Sequence, residues 1–72
     1  MTQRIVILGA GGHARVVCEA LQLSGYEVVG FLDDNPTLAG TTALGLPVLG
    51  PIDLAASLAV DGAIVGIGEN HV

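Results

Sequence analysis

The sequence predicts an α/β fold, a small parallel sheet with flanking helices. Three observations carry that expectation: short continuous aliphatic runs rich in Val and Ile, a stretch of helical period between the first two of them, and Gly or Pro at the junctions. Residues 4–8, RIVIL, form an unbroken β-branched run of the kind that parallel sheets bury on both faces. Residues 13–23 follow as a helix. Val17, Ala20, Leu21 and Ser24 recur at helical spacing with Val16 and Leu23 beside them, Arg15, Glu19 and Gln22 mark the wet side, and Gly25 stops the helix. Residues 27–32, EVVGFL, read as a second strand that ends at the turn-forming Asp33-Asp34-Asn35-Pro36. Residues 37–46 read as a loop rich in Thr and Gly and residues 47–49 as a short strand. Residues 51–59 suit a short helix opened by Pro51, and residues 62–67 return to a buried strand. Strand, helix, strand, helix, strand is the grammar of a parallel α/β domain, with right-handed crossovers as the default.

Composition bounds what such a domain does. The chain has 72 residues, 51% of them hydrophobic, with one Tyr, one Phe and no Trp, enough for one small domain. Its 11 glycines follow neither a collagen triplet nor a polar low-complexity pattern, so they punctuate short buried elements. A net charge of -5, with Arg4 and Arg15 the only strong cations, argues against nucleic acid as a partner, because phosphate backbones need clustered Lys and Arg. The apolar run at residues 5–8 is too short for a signal-peptide core or a membrane span, and a cytoplasmic location is expected. Cys18 stands alone, without a disulfide partner or the paired spacing of a metal site. It reads as a small hydrophobe on the helix, with a reactive thiol as the alternative.

The glycines after the first strand carry the chemistry. Gly9-x-Gly11-x-x-Ala14 fits the form GxGxxG/A, placed where a strand becomes a helix. Gly9 permits the tight turn, Gly11 lets a phosphate approach the backbone, and Ala14 keeps the helix close to the sheet. The N–H groups of the first helical turn, around Gly11, Gly12 and His13, aim a partial positive charge at a ligand, which lets a chain with so few cations hold an anion. Asp33 and Asp34 follow about 20 residues after Ala14, where an acidic side chain commonly accepts hydrogen bonds from a ribose. The plainer alternatives are that the glycines serve only the turn and that the Asp pair only solvates a loop. His13 either donates to a phosphate or sugar oxygen or bonds to nearby backbone as a neutral imidazole, its charged form being disfavoured by the helix dipole. Arg15 reads as a solvated helix residue.

Four blocks, ILGAGGHARVV, VVGFLDDNP, GLPVLG and GAIVGIGEN, resemble in order and spacing the N-terminal nucleotide-sugar-binding domain of the PglD/NeuD-like sugar acetyltransferases, which include sialic acid O-acetyltransferases. The resemblance covers nearly the whole chain; its Gly-Gly-His and Asp-Asp-Asn-Pro elements are the specific ones. It implies a Rossmann-like domain over residues 1–72 that binds a UDP-sugar. In the family a left-handed β-helix of hexapeptide repeats follows, binding acetyl-CoA as co-substrate at a homotrimer interface and carrying the catalytic histidine. Carried onto this chain, Gly9, Gly11, Gly12 and His13 lie along the diphosphate and sugar, and Asp33 and Asp34 near the uridine. Gly68 and Asn70 close the pocket. His13 is not the catalytic base. With no hexapeptide repeat in the sequence, the expectation is a fragment of a longer chain that binds but does not acetylate, with no acetyl-CoA site, metal or membrane contact of its own. Two other readings stay open: an NAD-binding part of an oxidoreductase, and a non-catalytic regulatory or assembly module. His71 is expected to be an unstructured end residue.

Overall fold

The computed structural model describes residues 2–66. The elements are β1 (Arg4–Leu8), α1 (Gly12–Leu23), β2 (Glu27–Leu32), β3 (Thr42–Ala43), β4 (Leu46–Gly50), a 3-10 helix (Ile52–Ser57) and β5 (Gly62–Val65). They build one five-stranded sheet in the order β3-β4-β2-β1-β5. The pairs β1–β2, β1–β5 and β2–β4 are parallel, and only the β3–β4 hairpin is antiparallel. The central position of β1 explains its uninterrupted aliphatic run, since Ile5, Val6 and Ile7 are all buried. The fold class is therefore as expected, with the hairpin as an addition.

The pairing of β1 with β2 contains one irregularity. Ile5 pairs with Val28 but Val6 pairs with Gly30, so Val29 is an extra residue on β2. A strand alternates faces, and one inserted residue shifts the alternation by one. Val28 and Phe31, three positions apart, thereby both join Ile7 in the core cluster under α1. Beside the bulge, β2 and β4 approach closely. A Cβ built on Gly30 lies 2.7 Å from the Pro47 carbonyl oxygen and 3.2 Å from the Leu49 side chain.

Helix α1 covers this face, but not with the stripe expected from the sequence. Its buried residues are Ala14 and Cys18, with Val17 and Leu21 partly buried beside them. Ala20 and Ser24 are exposed, and Val16 and Leu23 keep 63% and 89% of their surface in water. The stripe Ala14-Val17-Cys18-Leu21 has the i, i+3, i+4, i+7 spacing of a core-facing helix; the expected stripe is turned about the axis because it leaves out Ala14 and Cys18. Close helix–sheet contact selects those small side chains. The segment 37–46 is likewise not wholly a loop, since it holds β3 and the first residue of β4. Between them, Leu44 at φ 52° and Gly45 at φ 78° make the hairpin turn. The short helix after Pro51 is of 3-10 type and spans residues 52–57 rather than 51–59. Strand β5 ends at Val65, whereas its expected end, residue 67, lies outside the described residues; as an edge strand, its described residues are half-buried or exposed rather than buried as expected.

Cys18 is fully buried, which supports its reading as a small hydrophobe. Burial pushes its thiol upward, and the neighbouring charge of Glu19 acts in the same direction. Only the thiolate is a good nucleophile, so its attack on a thiol reagent is expected to require opening of α1 from the sheet. A thiol reagent such as DTNB should label Cys18 slowly in buffer and rapidly in urea; rapid labelling in both would place the thiol outside the core.

Candidate functional site

The carboxyl ends of β1, β2, β4 and β5 lie side by side, and backbone hydrogen bonds carry the pairing one step past them. Gly9 N–H donates to the Leu32 carbonyl, Asp33 N–H to that of Gly50 at 2.8 Å, and Gly66 N–H to that of Leu8 at 2.8 Å. From β1 the chain builds outward through β2 to β4 and β3, then crosses to the opposite side of β1 to form β5. This reversal leaves a crevice outside the strand ends, where ligands of open α/β sheets bind. The loop after β1 opens onto it.

The three positions of the glycine turn differ in backbone and packing. Gly9 sits at φ 112°, which residues bearing a Cβ rarely adopt, so the turn requires glycine there. Gly11 is the N-cap of α1 in extended geometry, with φ −84° and ψ −165°. No side chain caps the helix and no acidic residue occupies its first turn, so the leading N–H groups are not engaged by a side chain. A Cβ built on Gly11 or Gly12 meets no atom within 4 Å. Neither glycine has a positive φ, so neither turn geometry nor packing within the described residues requires a missing side chain there. At Ala14 the opposite holds, for it is fully buried. Its Cα and Cβ each lie 3.0 Å from where a Cβ on Gly66 would be. Gly66 is not among the site residues expected from the sequence, although a small residue at the third fingerprint position signals some such close approach.

The side chains around the turn divide by function. His13 is exposed on the first turn of α1, and among the described residues its ring has no hydrogen-bond partner. Arg15 is exposed, as expected. Arg4 is engaged at the opposite end of β1, where its guanidinium donates to the Ala59 carbonyl at 2.8 Å and its backbone N–H to Asp61 Oδ2 at 2.7 Å. Arg4 is thus committed away from the turn. Asp33, partly buried, accepts the Ala10 N–H on Oδ2 at 3.0 Å and the Asn35 N–H on Oδ1 at 2.9 Å. Asp34, exposed, accepts the Ile52 N–H on Oδ1 at 2.9 Å. Asn35 in turn accepts the Thr37 N–H and hydroxyl on Oδ1, at 3.1 and 2.8 Å, closing the turn after β2. The structure thus brings Gly9, Gly11, Gly12, His13, Asp33 and Asp34 to one end of the sheet; Gly68 and Asn70 lie outside the described residues. A shallow depression lined by Glu19, Gln22 and Leu23 lies later on α1, away from the turn. Among the described residues no helix is long and apolar enough to cross a membrane.

A parallel sheet with a glycine turn between its first strand and first helix, and a reversal of strand order beside that turn, defines a Rossmann-like domain. The chain belongs to the PglD N-terminal domain family, whose model matches residues 4–72. Two crystal structures share the fold. One is of RSP, a Rex-family repressor, with a TM-score of 0.76 at 24% identity, covering 96% of this chain and 35% of that one. The other is of RSP in complex with beta-NADH, with a TM-score of 0.73 at 24% identity, covering 97% and 36%. The chain thus spans about a third of those proteins' length. No curated protein matches the chain.

Proposed function

We propose that this chain binds the diphosphate and sugar of a UDP-sugar and is the substrate-holding part of an acetyl-CoA-dependent sugar N- or O-acetyltransferase. The observation that carries the reading is the open space at Gly11 and Gly12, two glycines whose missing side chains serve no contact within the described residues. They stand at an uncapped helix start in a family of PglD N-terminal domains. A diphosphate fits that space by accepting hydrogen bonds from the leading N–H groups of α1, with the helix dipole favouring its charge. His13, exposed beside those groups, donates to a phosphate or sugar oxygen. Asp34 offers its remaining lone pairs to the nucleoside, Asp33 stands beside it at the turn, and Gly68 and Asn70 complete the pocket. Acetyl-CoA, the catalytic base and trimer contacts belong to the β-helix domain of the family. The cell compartment under this reading is the cytoplasm.

A second reading has a specific observation behind it, since one of the two matching structures holds beta-NADH. Titration of the chain with UDP, a UDP-amino sugar, NADH and acetyl-CoA, followed by backbone amide NMR, separates the two. UDP compounds alone should shift Gly11, Gly12, His13 and Asp33 to Asn35. A response to NADH alone would replace the acetyltransferase reading with the oxidoreductase one, and silence to all four in a folded sample would leave a turn-building module. His13→Ala is expected to weaken UDP-sugar binding about tenfold, the worth of one hydrogen bond to a charged group, with an unchanged circular dichroism spectrum. Unchanged affinity would remove His13 from the site.

A further inference from the structure

The two adjacent carboxylates at the end of β2 hold different loops. The loop after β1 and the segment after β4 leave the sheet on either side of the end of β2. Asp33 reaches back to the first through the Ala10 N–H, and Asp34 reaches the second through the Ile52 N–H at the start of the 3-10 helix. Ala10 is buried, and its N–H takes the Asp33 carboxylate as its partner in a partly buried bond. Ile52 begins a helix whose own N-cap, Pro51, provides no side-chain cap. Strands β1, β2 and β4 are neighbours in the sheet, so one dipeptide joins the ends of all three.

We propose that Asp33 and Asp34 form a two-sided clasp of positioning residues, Asp33 setting the phosphate-binding turn and Asp34 setting the segment after β4 that borders the nucleoside. This rests on the nucleotide reading above. An ionised carboxylate offers about four acceptor positions. Among the described residues, Asp33 spends one on each oxygen, whereas Asp34 spends one on Oδ1 and none on Oδ2. The exposed Asp34 is therefore the acceptor for the nucleoside, and Asp33 acts on the ligand through the turn it holds.

The test compares the full chain with Asp33→Ala, Asp33→Asn and Asp34→Ala, using amide NMR and two probes, UDP and inorganic pyrophosphate, which lacks a nucleoside. Without ligand, Asp33→Ala should shift the Ala10 and Asn35 amides and spare Ile52, while Asp34→Ala should shift Ile52 and spare Ala10. Asp33→Ala should weaken UDP and pyrophosphate alike, by about tenfold. Asp33→Asn, whose side-chain oxygen still accepts one N–H, should restore part of that loss. Asp34→Ala should weaken UDP and leave pyrophosphate unchanged. An unmoved Ala10 amide in both Asp33 variants would overturn the clasp, and loss of UDP with retained pyrophosphate in Asp33→Ala would make Asp33 a nucleoside contact instead. If Asp33→Ala fails to fold, Asp33→Asn decides between the same outcomes. Failure of the unmodified chain to bind either probe would sink the nucleotide reading, while the ligand-free amide shifts would still decide the clasp.

Discussion

Gly11→Val is expected to abolish detectable UDP-sugar binding while leaving the domain folded. The substituted Cβ meets no atom within 4 Å, and the backbone at φ −84°, ψ −165° is extended geometry that valine accepts. The fold loses only the preference of an N-cap for glycine over a β-branched residue, on the order of 1 kcal/mol. The ligand loses much more. A valine at the helix start occupies the volume in front of the leading N–H groups, and two hydrogen bonds to a charged phosphate forgone together lower affinity by about 100-fold or more. Calorimetric titration with a UDP-sugar, paired with a thermal melt, measures both effects. Normal binding by a folded Gly11→Val chain would show that no phosphate approaches the turn.

The largest effect on stability is expected at Gly30, where the crowding comes from the chain itself. A methyl group there falls 2.7 Å from a backbone carbonyl oxygen, that of Pro47, which cannot rotate aside as a side-chain terminus can. Gly30→Ala must push β4 away from β2, and overpacking of this kind costs about 1–3 kcal/mol. In a domain this small such a loss lowers the melting temperature on the order of 10 °C. The same step puts the C-terminal end of β4 out of place, so Asp34 should also lose its hold on Ile52. An unchanged melting temperature would mean that β2 and β4 are not packed as described.

Strands β1 and β2 are legible to the residue because each is a short, mostly apolar and β-branched run that opens on a charged residue and is closed by glycine or by a turn sequence. Helix α1 is legible in extent but not in rotation. Its residues are apolar on more than one side, and the ones that matter, Ala14 and Cys18, are small because the sheet lies so close. The β3–β4 hairpin is hidden because β3 is two residues long and its turn carries Leu44 instead of the usual Asn or Asp before glycine. At the site, the glycine turn is readable because backbone geometry dictates its residue types. The division of labour between Asp33 and Asp34 is not, since both satisfy the same acidic spacing. Their different partners depend on side-chain direction at the strand end, which no local pattern records.

That direction is decided upstream. Val29, the extra residue of β2, lies at the start of the strand, away from the glycine turn and the 3-10 helix, yet it sets the phase with which the strand arrives at its end. Had Val29 paired with Val6 in a regular ladder instead of bulging out, every later residue of β2 would present its side chain in the opposite sense. The carboxylate directed at Ala10 would then face away from it. In this domain a single inserted residue acts as a reading-frame mark for the third dimension, determining which of two chemically identical neighbours addresses which loop.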